Sequence, residues 1–148
     1  MIDRDAAHEA FYDALLDDDP VKLYERAPCG YVSTTPDGSI IKVNETFLAL
    51  TGFSRSDLLG KRTFAQLLTP GGRIYHETHY APMMRMQGSV REIAFEIVTA
   101  DGWRLPVLVN AALEHAADGA ALVARIAIFD ASERREYERE LLRAKQRA

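Results

Sequence analysis

One cysteine, Cys29, in 148 residues leaves no partner for an internal disulfide, and a reducing cytoplasm is the expected setting. No apolar run approaches the roughly 20 residues that a membrane helix needs, and the opening MIDRDAAHEA lacks the features of a secretory signal. There is no excess of basic charge: the net charge is -4, and the late Arg/Lys run is interleaved with Glu, so no nucleic-acid partner is expected. Catalytic signatures are also missing. No Gly-x-Ser-x-Gly elbow occurs, and His8, His76, His79 and His115 carry no partner motif. His76 and His79 lack a third metal ligand at useful spacing. Gly71-Gly72 lacks the following Lys-Ser/Thr of a phosphate loop and reads as the turn from Pro70 into a helix. Nothing assembles nucleophile, base and oxyanion donor, so the chain is not expected to be an enzyme.

What is present is a chain of single-domain size, with 47% hydrophobic and 27% charged residues. It is organised around Val90 to Asp130, where three apolar-rich runs are separated by Asp101-Gly102 and Asp118-Gly119. Asp-Gly between such runs marks hairpins, because glycine accepts the positive φ of tight turns. In the first run Ile93, Phe95 and Ile97 alternate with Glu92, Ala94 and Glu96. In the second, Trp103, Leu105, Val107, Val109 and Ala111 share one face; Arg104, Pro106, Leu108, Asn110 and Ala112 share the other. The third, Leu122 to Phe129, is apolar on both faces apart from Arg125 and is expected to be the most covered. The result is an antiparallel meander with one face in need of a roof.

The remaining segments read as that roof and its flanks. Residues 3–16 form an amphipathic helix with Ala7, Phe11, Ala14 and Leu15 on one stripe. Asp17, Asp18 and Asp19 suit the start of the next helix, with Asp19 as N-cap and Pro20 as first helical residue. Residues 31–34 and 39–43 flank the turn Pro36-Asp37-Gly38. Asn44 caps a helix stopped by Gly52, Ser54 and Asp57 form a capping box, and Thr63 caps a further turn. A helix is expected from about Arg73 to Tyr80, disturbed near Pro82 and continued through Met86 to Gly88. On it Tyr75 and His79 share one face, and His76 and Tyr80 another. Residues 132–148 form an exit helix capped by Ser132, with a short coiled-coil seam at Arg134, Tyr137, Leu141, Ala144 and Ala148.

The stretches LYERAPCGYVSTTPDGSIIKVNETFLALTGFSRSDLLGK, GSVREIAFEIVTADGWRLPVLVNAAL and IFDASERREYERELLRA resemble, in this order, a PAS domain. The resemblance implies an α+β fold: a five-stranded antiparallel sheet, order two-one-five-four-three, with short helices over one face. It implies an N-terminal helix in residues 1–19, the domain in 20–130 and a signalling helix in 131–148. It also implies a sensor that relays through the exit helix to an output kinase, phosphatase or cyclase, or to a partner. Light-sensing flavin members carry an Asn-Cys-Arg-Phe-Leu-Gln run where this chain has Arg62-Thr63-Phe64-Ala65-Gln66-Leu67. Thr63 replaces the photoreactive cysteine, so adduct photochemistry is not expected, and flavin would have to bind without it. Haem-binding members place a ligating histidine near His76; the plainer reading is an amphipathic ring on a partly exposed helix.

Two functional expectations follow. The first is a small molecule held between helix 73–87 and the inner sheet face, with Phe64, Tyr75, His79, Met83, Phe95, Val107 and Asn110 lining the pocket. For Asn110 a bond to a backbone group in the helical cover is the favoured alternative to a ligand contact. The second is a ligand-free scaffold that forms a homodimer through the N- and C-terminal helices.

Overall fold

The computed structural model describes residues 4–16 and 19–147. Asp17, Asp18, the first residue of the expected 3–16 helix and Ala148 of the expected seam lie outside the described residues. In chain order the elements are α1 (Arg4–Leu15), α2 (Pro20–Glu25), β1 (Gly30–Thr34), β2 (Ile40–Val43), α3 (Glu45–Thr51), α4 (Arg55–Leu58) and a 3-10 turn (Ala65–Leu67). They continue with α5 (Pro70–Tyr75), a π-helical turn (His76–Tyr80), α6 (Ala81–Gln87), β3 (Ser89–Val98), β4 (Arg104–His115), β5 (Ala121–Asp130) and α7 (Ser132–Arg147). The strands form one antiparallel sheet in the order β2-β1-β5-β4-β3.

Local chemistry accounts for most element ends. Asp19 accepts from the Val21 N–H at the start of α2. Ser54 and Asp57 complete their capping box, and Thr63 and Gln66 exchange the same reciprocal pair of bonds. Gly52 and Gly88, both left-handed, end α3 and α6. The two Asp-Gly hairpins close as read: Gly102 bonds back to the Thr99 carbonyl and Gly119 to that of Ala116. Asn44 is more than a cap. Its Oδ1 accepts from the backbone N–H of Phe47 and of Tyr31, and its Nδ2 donates to the carbonyls of Tyr24 and Cys29. One buried amide thus joins α2, β1 and α3. Gly30 lets α3 approach β1 closely, since a Cβ there would stand 3.1–3.3 Å from Phe47.

The core lies between the inner sheet face and the run of short helices. Val32, Ile40, Phe47, Leu58, Phe64, Leu67, Leu68, Ile97, Val107, Val109 and Ile128 are all essentially inaccessible. The alternation read for β4 holds, with Val107, Val109 and Ala111 buried inward. Three expectations are corrected. The helix after Pro70 begins at Pro70 itself, because the Thr69 hydroxyl caps it by accepting from Gly72 N–H. The disturbance lies before Pro82, where the Ala81 N–H reaches past one residue to the His76 carbonyl. The third meander strand is not covered on both faces: Phe129, opposite in direction to the buried Ala124, Ile126 and Ile128, is exposed, and so is Leu122 at the irregular start of the strand. Two smaller details also differ. Trp103 precedes β4 and is largely exposed, and α7 is capped by the Asp130 carboxylate, which accepts from Ser132 N–H and Oγ–H.

Candidate sensory cavity

In the strip α5–π turn–α6, the π turn and α6 lie over the inner face of the sheet and, with β1, the turn at residues 36–38, β4 and β5, border a partly open cavity of about 350 Å³. An α-helix drifts by roughly 40° for every four residues, since four exceeds the 3.6 of one turn. The wider π turn reduces that drift. His76, Tyr80 and Met84, spaced four apart, therefore stay on one line along the cavity. Phe64 closes one wall; Leu113, Ala124 and Ile126 form the floor. Asp37 and Arg85 also line it, both on exposed residues.

Tyr80 is 5% exposed, and its hydroxyl is buried without a hydrogen-bond partner. Its ring is stacked on His76 at 4.6 Å and stands 5.8 Å and 6.3 Å from Phe95 and Phe64. Burial pushes its phenol far above the ordinary tyrosine value, so it stays protonated. Burial likewise holds the half-buried His76 imidazole below its ordinary value, favouring the neutral ring.

Of the expected lining residues, Phe64 is on the cavity wall. Phe95 and Val107 are buried in the adjoining core, Phe95 touching the ring cluster edge-on. Met83 is partly buried against the core, while its neighbour Met84 supplies the lining. Tyr75 and His79 do stack, at 4.5 Å and 6° between planes, but at the exposed edge of the strip, where Tyr75 meets Phe95. Asn110 lies on the opposite face of β4 from Val107, so the two cannot line one cavity. Its Oδ1 accepts from the Glu92 N–H at 2.7 Å, supporting a bulge in β3 where Glu92 adopts a φ of 54°. The sequence favoured a backbone partner in the helical cover; the partner is instead on the neighbouring strand β3, because Asn110 faces away from the helices. Tyr80, Met84, Leu113, Ala124 and Ile126 were not singled out. The i, i+4 spacing of 76, 80 and 84 was the available signal, but the π turn that selects it over 75 and 79 has no sequence marker beyond Pro82.

The His76 ring is stacked on Tyr80 at 4.6 Å and stands 6.1 Å from Phe64 and 6.3 Å from Phe95. Among the described residues no cluster of three His, Cys, Asp or Glu side chains is placed to hold a metal.

A second concavity, about 420 Å³, opens on the outer face between Tyr24, Tyr31, Arg91, Asn110 and Arg125. Tyr24 stacks on Tyr31 at 5.8 Å, with the Lys42 ammonium 4.5 Å from its ring. Arg125 is held by Glu114 through two bonds of 2.6 and 3.1 Å, which keeps the Glu114 carboxyl below its ordinary range.

The exit is tied to the sheet. The Ala131 N–H donates to the Pro106 carbonyl, and Arg135 in α7 pairs with Glu96 on β3 at 3.1 Å.

Comparison with known proteins places this geometry. The family described as PAS domain matches residues 28–133. Phosphoserine phosphatase RsbP of Bacillus subtilis (strain 168) is 30% identical over 127 residues, 86% of this chain and 31% of that protein. The chain therefore spans about a third of the length of that relative. Among solved structures, a PAS domain from Colwellia psychrerythraea has a TM-score of 0.69 at 17% identity, over 78% of this chain and 96% of that one. An RNA-binding light-oxygen-voltage receptor has a TM-score of 0.75 at 18% identity, over 90% of this chain and 38% of that one. The PAS domain of an HTR-like protein from Haloarcula marismortui has a TM-score of 0.59 at 18% identity, over 86% of this chain and 99% of that one. At these identities the structures establish the fold alone.

Proposed function

Because the chain belongs to the PAS domain family, we propose that it is a sensory input module that binds a small molecule between residues 70–87 and the inner sheet face and reports occupancy through α7. One observation carries this reading. The strand that floors the cavity, through Ala124 and Ile126, runs on to Asp130 and directly into α7. A guest that moves β5 relative to its neighbours acts on the helix through the Asp130 cap and the Glu96–Arg135 pair. Such relay requires the guest to favour one sheet–helix arrangement over another. The likeness to RsbP supports a phosphatase as the output, ahead of a kinase or cyclase. Among the described residues no helix is long and apolar enough to cross a membrane.

Native mass spectrometry of gently purified protein tests the reading. We expect mass above that of the polypeptide, reduced by Ala124→Leu, which raises the cavity floor. Bare polypeptide in both samples, with no binding from a metabolite screen, overturns it.

A second reading rests on a separate observation. Phe11 and Leu15 on α1 and Tyr137 and Leu141 on α7 are all more than half exposed, leaving two apolar stripes without cover. They fit a homodimer paired through both helices. Deleting residues 1–19 is then expected to lower the mass measured by light scattering; an unchanged dimer removes α1 from the interface.

A further inference from the structure

Charge is divided unevenly along this chain. Residues 3–19 carry seven Asp or Glu and one Arg, whereas residues 132–147 carry six Lys or Arg and four Glu. Between them, residues 20–131 hold eleven charges of each sign. The domain body is therefore neutral, and opposite charge is placed on its two flanking helices. We propose that the chain forms a two-fold dimer in which α1 of one copy packs on α7 of the other, acidic helix against basic helix. The inference rests on the dimer reading above and assigns which helix meets which.

Three observations carry it. First, each helix offers an apolar stripe that its own chain leaves uncovered. On α1, Phe11, Tyr12, Leu15 and Leu16 are each more than half exposed, and α1 adds no residue to the core. On α7, Tyr137, Leu141 and Leu142 are likewise more than half exposed. Phe11–Leu15 and Tyr137–Leu141 share the i, i+4 spacing of a face that packs on another helix. Second, the charges select the partner. Two copies of α1 side by side would set Glu9 and Asp13 against another acidic helix. Two copies of α7 are both net basic, and in parallel they would gather Arg143, Lys145 and Arg147 at one end. Only the mixed pair joins opposite signs. Nor are these charges neutralised within the chain. Among the described residues Glu9, Asp13, Arg139, Arg143, Lys145 and Arg147 form no ion pair, while Arg134 and Arg135 are taken by Glu138 and Glu96. Third, the two helices are rooted on opposite halves of the sheet. α1 leads into α2, which Asn44 ties to β1 and α3. α7 is held to β3 and β4 through Glu96 and the Pro106 carbonyl. In the order β2-β1-β5-β4-β3 these roots are separated by β5, and within one chain the two stripes leave one another exposed. A two-fold rotation exchanges the copies, so one α1–α7 contact creates its twin and the pairing closes as a dimer.

Full-length variants separate this pairing from its alternatives. Phe11→Glu with Leu15→Glu spoils the α1 stripe; Tyr137→Lys with Leu141→Lys spoils that of α7. All four residues are exposed, so the domain body should keep the thermal midpoint of the parent. Each variant alone is expected to dissociate at least about tenfold more readily than the parent in light scattering, because both twin contacts are damaged. Mixed in equal amounts, one variant supplies an intact α7 and the other an intact α1, and native mass spectrometry should show the mixed dimer in excess of either self-dimer. Like-with-like pairing gives the opposite pattern: each variant keeps one sound pair and self-associates, and mixing adds nothing. That pattern overturns the assignment while leaving the dimer reading standing. Variants that neither self-associate nor pair when mixed also overturn it. A parent that stays monomeric, or variants that dimerise as the parent does, removes the helices from any interface and takes the dimer reading with the assignment. Raising the ionic strength from roughly 0.05 to 0.5 M should weaken the parent dimer by screening its attraction; a dimer that tightens instead pairs like with like and overturns the assignment.

Discussion

On its inner face the sheet sets Val32, Ile126 and Ala111 side by side, each nearly inaccessible; one residue along, the same three strands present Tyr31, Ala127 and Asn110 to the other side. Each face carries a concavity, about 350 Å³ inside and about 420 Å³ outside. Size therefore does not tell them apart. What differs is how their polar groups are resolved. Outside, Asn110 is occupied by the bulge it supports and Arg125 by Glu114. Tyr24 also has an unpartnered hydroxyl there, but it belongs to a partly exposed residue on a short helix. Inside, Tyr80 is enclosed by three rings and has no such relief. The comparison teaches that two concavities of similar size can resolve their polar groups differently, by side-chain and backbone partners outside and by aromatic enclosure inside.

The sharpest way to break this division is at Asn44, the residue that joins the two covers. Its amide holds α2, which shields the outer cleft, and α3, which roofs the inner face. Asn44→Ala leaves four backbone partners without their bond, and we expect a loss of about 4 kcal/mol in denaturant unfolding. A loss below a quarter of that would show the two covers to be independently anchored. Asn110→Ala is milder. It unseats the Glu92 bulge on the outer face and is expected to cost about 1 kcal/mol. Extra mass retained in native mass spectra should not change, and a parallel loss there would show the faces to be coupled.

The smallest effect is the pH response of His76. Its pKa is depressed by burial. The unfolded chain therefore takes up a proton near pH ~6.5 that the folded chain refuses until lower pH. The stability from the neutral ring is fully present above the unfolded pKa and is lost as pH falls towards the folded pKa. His76→Phe keeps a ring against Tyr80 and should flatten the slope of stability between about pH 7 and pH 5. An unchanged slope would mean that His76 is not shielded from water.

Much of the fold was legible because it is written in short-range chemistry. The Asp-Gly hairpins, the Asn44 and Asp19 caps, the Ser54–Asp57 box and the terminal Gly52 and Gly88 each depend on neighbours within a few residues. The period of two in β4 told inward from outward residues. The same pattern already placed Asn110 opposite Val107, and the expected pocket mixed the two faces. The site was less legible. Tyr75–His79 and His76–Tyr80 are equivalent pairs in a regular helix, and both do stack.

The chain's own chemistry determined the order of its elements, their caps and turns, the antiparallel pairing and the face of each strand that must be buried, because those choices are settled by local hydrogen bonding and by the alternation of side chains. Which helical line faces the sheet was decided only in the folded molecule. A single π turn before Pro82 changes the azimuth of everything on that strip, and only packing against Phe64, Phe95 and the β5 floor selects the His76–Tyr80–Met84 line. The fate of the Tyr80 hydroxyl was settled at the same level, since being left without a partner depends on what stands around it in space.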